Sequence, residues 1–104
     1  MAKNKPAENK SMAEWLQGVA EPNRIAILKA LSTGSKNVTE LAKLLNVEIV
    51  NVSHHLGVLR QGGIVTDEKH GRFVVYSLPA DKIEVKANTL ILKHADGALE
   101  IKLN

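Results

Sequence analysis

Residues 37–63 read NVTELAKLLNVEIVNVSHHLGVLRQGG, and the organisation of this stretch decides the fold. It opens on Asn37-Val38-Thr39-Glu40, an Asn form of the capping box. The Asn side chain accepts from a first-turn amide, and Glu40, three residues on, reaches back to the cap. Leu41, Leu44 and Leu45 then line the buried side of a short helix, which Asn46 closes because it tolerates the left-handed conformation of a tight turn. A second helix is predicted from about Ile49 to Gln61. Its residues Ile49, Val52, Leu56 and Leu59 follow i, i+3, i+7 and i+10 and share one face. Gly62-Gly63 stops it.

Working outward, the hydrophobic period changes on the C-terminal side from helical to alternating. Ile64 to Lys69, the turn His70-Gly71-Arg72, and Phe73 to Leu78 read as a β-hairpin. Beyond Pro79, Ile83/Val85/Ala87, Leu90/Leu92 and Leu99/Ile101/Leu103 alternate with polar residues, and Asp96-Gly97 signals a hairpin turn between the last two runs. On the N-terminal side, Glu21-Pro22 starts a helix, with Pro pre-set for the first turn and missing only a donor that would be orphaned there. Its apolar face of Ile25, Leu28 and Leu31 stops near Gly34. Before it, Met12, Trp15, Leu16 and Val19 fall at helical spacing with Ser11 available as a cap. The division expected is a mobile basic tail over 1–10, a helical and hairpin domain over 11–78, and a strand extension over 79–104.

Composition narrows the function. A chain of 104 residues has room for one modest core. Only Trp15, Phe73 and Tyr76 are aromatic, so no stacking platform for single-stranded nucleic acid is available. The absence of cysteine removes disulfides, thiolate metal sites and thiol redox sensing, and fits a reducing cytoplasm. No apolar run approaches the ~18 residues of a membrane span, and the polar start is no secretory signal. The net charge of +3 permits a polyanionic partner without demanding one. No nucleophile–base set, phosphate-binding glycine loop or paired carboxylates point to an enzyme, and no cofactor is implied. His54 and His55 diverge by ~100° on a helix and do not chelate one ion. His94 and Asp96 are the other conceivable metal pair, but a hairpin turn accounts for Asp96.

Two helices joined by a tight turn and followed by a hairpin are the order of a winged helix-turn-helix, an α+β fold. The residues that carry a closer likeness are Glu21-Pro22-Asn23-Arg24-Ile25-Ala26-Ile27-Leu28, Leu41-Ala42, Asn51 to Arg60 (NVSHHLGVLR), Gly63-Ile64-Val65, Gly71-Arg72 and Tyr76-Ser77-Leu78. As a set, over about residues 15–78, they resemble the ArsR family of bacterial repressors. The resemblance implies a homodimer that binds double-stranded DNA and represses transcription, with Asn51, Ser53 and His54 where family members contact DNA. Three features depart from it. Asn37 and Thr39 stand where metal-sensing members carry Cys-x-Cys, Glu48-Ile49-Val50 replaces a Ser-Gln-Ser-like run, and a strand-like tail replaces the terminal helix that pairs with the dimer mate.

The residues sort by face without the family. Opposite the apolar side of the second helix lie Val50, Asn51, His54, Gly57, Val58 and Gln61, with Ser53 at the flank. Asn pairs bidentately with adenine, His and Ser bond base edges or phosphate, and Val50 can touch a thymine methyl. Lys69, His70 and Arg72 on the hairpin suit phosphate, and Arg60 and Lys43 are weaker candidates. Each has a plainer reading as a solvated polar face or a charged hairpin tip; His55 reads as a helix-packing residue. For the dimer interface, Met12, Trp15, Leu16 and Val19 join Leu99, Ile101 and Leu103. A different class of function stays open: a winged helix that grips a protein partner, favoured by the low net charge and the apolar Ile49-Val50.

Overall fold

A computed structural model describes residues 5–104. The first four residues of the expected mobile tail lie outside it. Within the rest of that stretch, Pro6–Asn9 forms a 3-10 turn that runs into helix α1, Lys10–Val19. Ser11 therefore falls inside the first turn rather than at the cap. Helix α2 spans Pro22–Leu31, with the Glu21 side chain accepting from the Arg24 amide at 3.0 Å. The two-residue strand β1, Lys36–Asn37, leads into helix α3, Val38–Leu45.

The capping box forms as the sequence requires. Asn37 Oδ1 accepts from the Glu40 amide at 2.8 Å, and Glu40 Oε1 accepts from the Asn37 amide at 2.9 Å. Asn46 ends α3 in the left-handed conformation, at φ 54°. Helix α4 covers Ile49–Gln61. It closes with the Ile64 amide on the Leu59 carbonyl and the Gly63 amide on the Arg60 carbonyl. That is a Schellman cap, and it needs the φ of +72° that Gly63 adopts without strain.

Strands β2, Thr66–His70, and β3, Phe73–Ser77, form the wing around the two-residue turn Gly71-Arg72. The first pairs of this hairpin were legible; its third strand was not. β1 pairs with β3, Lys36 opposite Tyr76 and Asn37 opposite Val75, giving the order β1-β3-β2. The C-terminal extension is likewise more than the hairpin expected. β4, Ile83–Lys86, β5, Thr89–His94, and β6, Gly97–Lys102, make a three-stranded antiparallel sheet. Its first turn uses Ala87 and Asn88 at φ 49° and 67°. Its second uses Ala95 and Asp96, one residue before the Asp96-Gly97 step expected from sequence, because Gly97 already pairs with His94.

One core joins all of this. Ile27, Leu28, Leu41, Leu56 and Leu59 are fully buried together with Leu90 and Leu92 of the extension. The extension packs along α1 of its own chain: the Met12 thioether lies against Gly97, and the Trp15 and His94 rings stand 5.1 Å apart. Three expectations about burial are corrected. Ile49 is 53% exposed, because it sits in the first turn of α4, ahead of the part that α2 and α3 cover. Leu44 is 60% exposed, since Leu41 and Leu45 take the inward positions and Leu44 lies ~100° round the helix from Leu45. Val19, expected at a dimer interface, is 2% exposed within a single chain and belongs to its own core.

Candidate nucleic-acid interface

What turns the polar side of α4 outward is the burial of its other side. Val52, Leu56 and Leu59 are essentially inaccessible, so the helix has one rotational setting, and Val50, Asn51, Ser53 and His54 then face solvent. A second device fixes its position. Half-buried His55 places Nδ1 3.4 Å from Arg24 Nη1 and 3.4 Å from Glu21 Oε2, tying α4 to the start of α2. The plainer expectation for His55, helix packing, is what the geometry shows; its side chain is 13% exposed. Burial works to raise the Glu21 carboxyl. Amide hydrogen bonds from Asn23 and Arg24, with the charges of His55 and Arg24, outweigh it and hold the group below the ordinary glutamate value. The buried Arg24 Nε has no hydrogen-bond partner among the described residues.

The wing carries its charge on a strand exposed from end to end, Thr66–His70. Of the expected phosphate contacts, Lys69 and Arg72 have no carboxylate within ion-pair distance among the described residues. His70 and Arg60 do. His70 Nε2 lies 3.1 Å from Glu68 Oε1, and Arg60 Nε lies 3.9 Å from Asp67 Oδ2. The second pair spans α4 and the wing. Both pairs are solvated and weak, and a phosphate could compete for either cation.

Sequence reasoning named only Ile49 and Val50 of the apolar component of this surface. Leu44 on α3 and Ile49 and Val50 on α4 flank the turn between the helices, and Phe73 and Val74 stand exposed on the wing. Consecutive Leu44-Leu45 held the signal, since two neighbours on one helix cannot both face a narrow core. Of the expected interface residues on α1 and the last strand, Met12, Trp15, Leu16, Leu99, Ile101 and Leu103 are all partly buried by their own chain. Among the described residues no group of three or more His, Asp or Glu side chains is placed to hold a metal ion. No helix among them is long and apolar enough to cross a membrane.

This arrangement recurs in known proteins. Residues 21–67 match the family described as "Bacterial regulatory protein, arsR family". Over 67 residues the chain is 45% identical to the HTH-type transcriptional regulator NmtR of Mycobacterium tuberculosis, a match that takes in 64% of this chain and 56% of that protein. It is 28% identical over 80 residues to the transcriptional repressor SdpR of Bacillus subtilis, covering 77% and 89%. The crystal structure of Rv0081 from M. tuberculosis superposes with a TM-score of 0.66 at 36% identity, over 74% of this chain and 77% of that one. The matched part of the chain spans little more than half the length of NmtR.

Proposed function

The chain belongs to the ArsR family of bacterial regulatory proteins, and from that premise we propose that it binds double-stranded DNA in a sequence-dependent way and represses transcription as a homodimer. The observation that carries the reading is the outward face of α4. A helix pinned by Val52, Leu56, Leu59 and the Glu21–Arg24–His55 contact presents Asn51, Ser53 and His54 as a rigid unit of major-groove width. Lys69 and Arg72 on the adjoining wing supply cations for phosphate, while Val50 is 70% exposed and suits a thymine methyl. Nothing in this role calls for catalysis, and such a regulator works where the chromosome lies, in the cytoplasm.

The dimer is part of the same proposal. A two-fold axis sets two reading helices about one DNA turn apart and matches an inverted repeat. Support comes from the apolar side chains of α1, β6 and the residue after β6 that a single chain covers only in part: Met12, Trp15, Leu16, Leu99, Ile101 and Leu103. Val19 drops out of that set. Removing all residues after Asn88 would be a poor test, because Leu90 and Leu92 belong to the protomer's core. Sedimentation of Leu103→Glu is cleaner: a monomer that keeps its fold supports an interface there, and an unchanged dimer moves the axis elsewhere.

The deciding experiment is fluorescence anisotropy on a random duplex and on the promoter of the chain's own operon, across salt concentration. Binding that weakens steeply with salt, and tighter on one sequence, supports the reading. Exposed Leu44, Ile49 and Val50 favour a second one, a docking face for a protein partner. Absence of DNA binding even at low salt would select it.

A further inference from the structure

A recess of about 410 Å³ opens between α1, the end of α4 and the C-terminal sheet. Its walls are apolar: Trp15, Ile64, Ile83 and Leu92. Lys82 and Lys93 also line it, and among the described residues no carboxylate does. Neither lysine has an acidic partner within 4 Å among the described residues. Lys82 is exposed but bends toward the helix end, where its Nζ would lie 3.4 Å from a Cβ built on Gly63. The α4 carbonyls there do not call for it, since the amides of Gly62, Gly63 and Ile64 already satisfy Val58, Arg60 and Leu59.

The walls are held in place before anything binds. His94 Nδ1 accepts from the Asp96 amide at 3.0 Å, and its Nε2 lies 3.4 Å from Ser11 Oγ. That fixes the ring against which Trp15 rests. The volume falls within the ~300–1,000 Å³ of small-molecule sites. An apolar chamber with lysines in its lining and no acidic partner for them favours one chemistry, an anionic head on an apolar body.

We propose that this recess binds a small monocarboxylate with an aromatic or aliphatic body, the body against the Trp15 ring and the carboxylate at Lys82 and Lys93. The inner wall is the Gly62–Ile64 segment that joins α4 to the wing, so an occupant touches the element that seats both. A role in controlling DNA binding would rest on the function proposed above, whereas the site itself does not.

Trp15 is the only tryptophan, so its emission reports the wall directly. The full-length chain is titrated with phenylacetate and with octanoate, which separate a compact aromatic acid from a lipid-derived one. Phenylethanol, octanol and acetate are the controls. The expected result is a saturable change with at least one acid, none with acetate, and affinity for the matching alcohol lower by about tenfold. The double variant Lys82→Met, Lys93→Met, checked by circular dichroism, should lose about tenfold in affinity for the acid and nothing for the alcohol. Absence of a saturable response to either acid overturns the proposal. An alcohol that binds as tightly as its acid does so too, without recourse to any variant, as does full acid affinity in a folded double variant.

Discussion

The molecule contains two three-stranded antiparallel sheets that differ in almost everything except hydrogen bonding. In the wing, β2 is exposed at all five positions and β3 at its first two. In the C-terminal sheet, Leu90 and Leu92 of β5 are wholly buried, and Ile83, Leu99 and Ile101 lie on the same face through their pairing with these residues. A buried face specifies register, because a slip of one residue would turn every apolar side chain to water. The wing has only a fragment of one, the Tyr76 end of β3. Its register rests on the Gly71 turn and on the short β1 strand beside β3. The lesson is a division of labour: the C-terminal sheet commits its apolar face to the core, and the wing, with little apolar face to commit, is free to meet DNA.

The largest effect tests that division directly. Leu92→Ala should cost about 2–5 kcal/mol in urea denaturation, the usual range for a fully buried leucine. Val74→Ala on the wing should stay within ~0.5 kcal/mol. Similar costs at the two sites would erase the distinction.

DNA binding should divide the other way. Asn51→Ala or His54→Ala is expected to weaken binding to the preferred site by about 1–3 kcal/mol and to relax its preference. On the wing, Arg72→Ala should weaken all duplexes alike and flatten the salt dependence by about one in log–log slope. Lys86→Ala, at the end of β4, should leave both unchanged. An effect of Lys86 as large as that of Arg72 would put the second sheet on the DNA.

The turns sharpen the contrast on a smaller scale. Gly71 holds φ at +63°, so Gly71→Ala should destabilise by about 1 kcal/mol. The C-terminal sheet places Ala87 at φ +49°, where a Cβ is itself unfavourable. Ala87→Gly should therefore raise stability, by up to about 1 kcal/mol less the entropy that glycine adds to the unfolded chain. Thermal melts of the two variants should shift in opposite directions.

The smallest effect concerns the contact that orients α4 between the sheets. Since the folded state holds the Glu21 carboxyl below its ordinary value of 4.5, its charge stabilises the protein above that pH. The contribution is lost as pH falls through the lower folded value. Glu21→Gln can still accept from the Arg24 amide but carries no charge. Its melting temperature should trail the parent at neutral pH and converge with it in acid; a constant gap would assign the effect to shape alone.

Local chemistry was legible in the sequence wherever a residue type answers to its own neighbours. The Asn37–Glu40 capping box, the left-handed Asn46, Pro22 after Glu21 and the Gly63 stop all depend on contacts within a few residues, and each stands where sequence reasoning put it. The polar face of α4 was legible for the same reason, as the complement of a periodic apolar one. What only the tertiary structure decided involves partners distant in the chain. Leu44 and Leu45 compete for one inward place, and Lys36 finds Tyr76 forty residues away. The Ala87-Asn88 turn makes a third strand out of a run that ends without a strong turn signal. Sequence reasoning set the tail strands beside Trp15 and the first helix at a two-fold axis; the structure decided that the tail of the same chain, through His94 and the C-terminal sheet, supplies part of that cover. Hydrophobic periodicity states which side chains must leave water, whereas which surface receives them depends on packing that no short window contains.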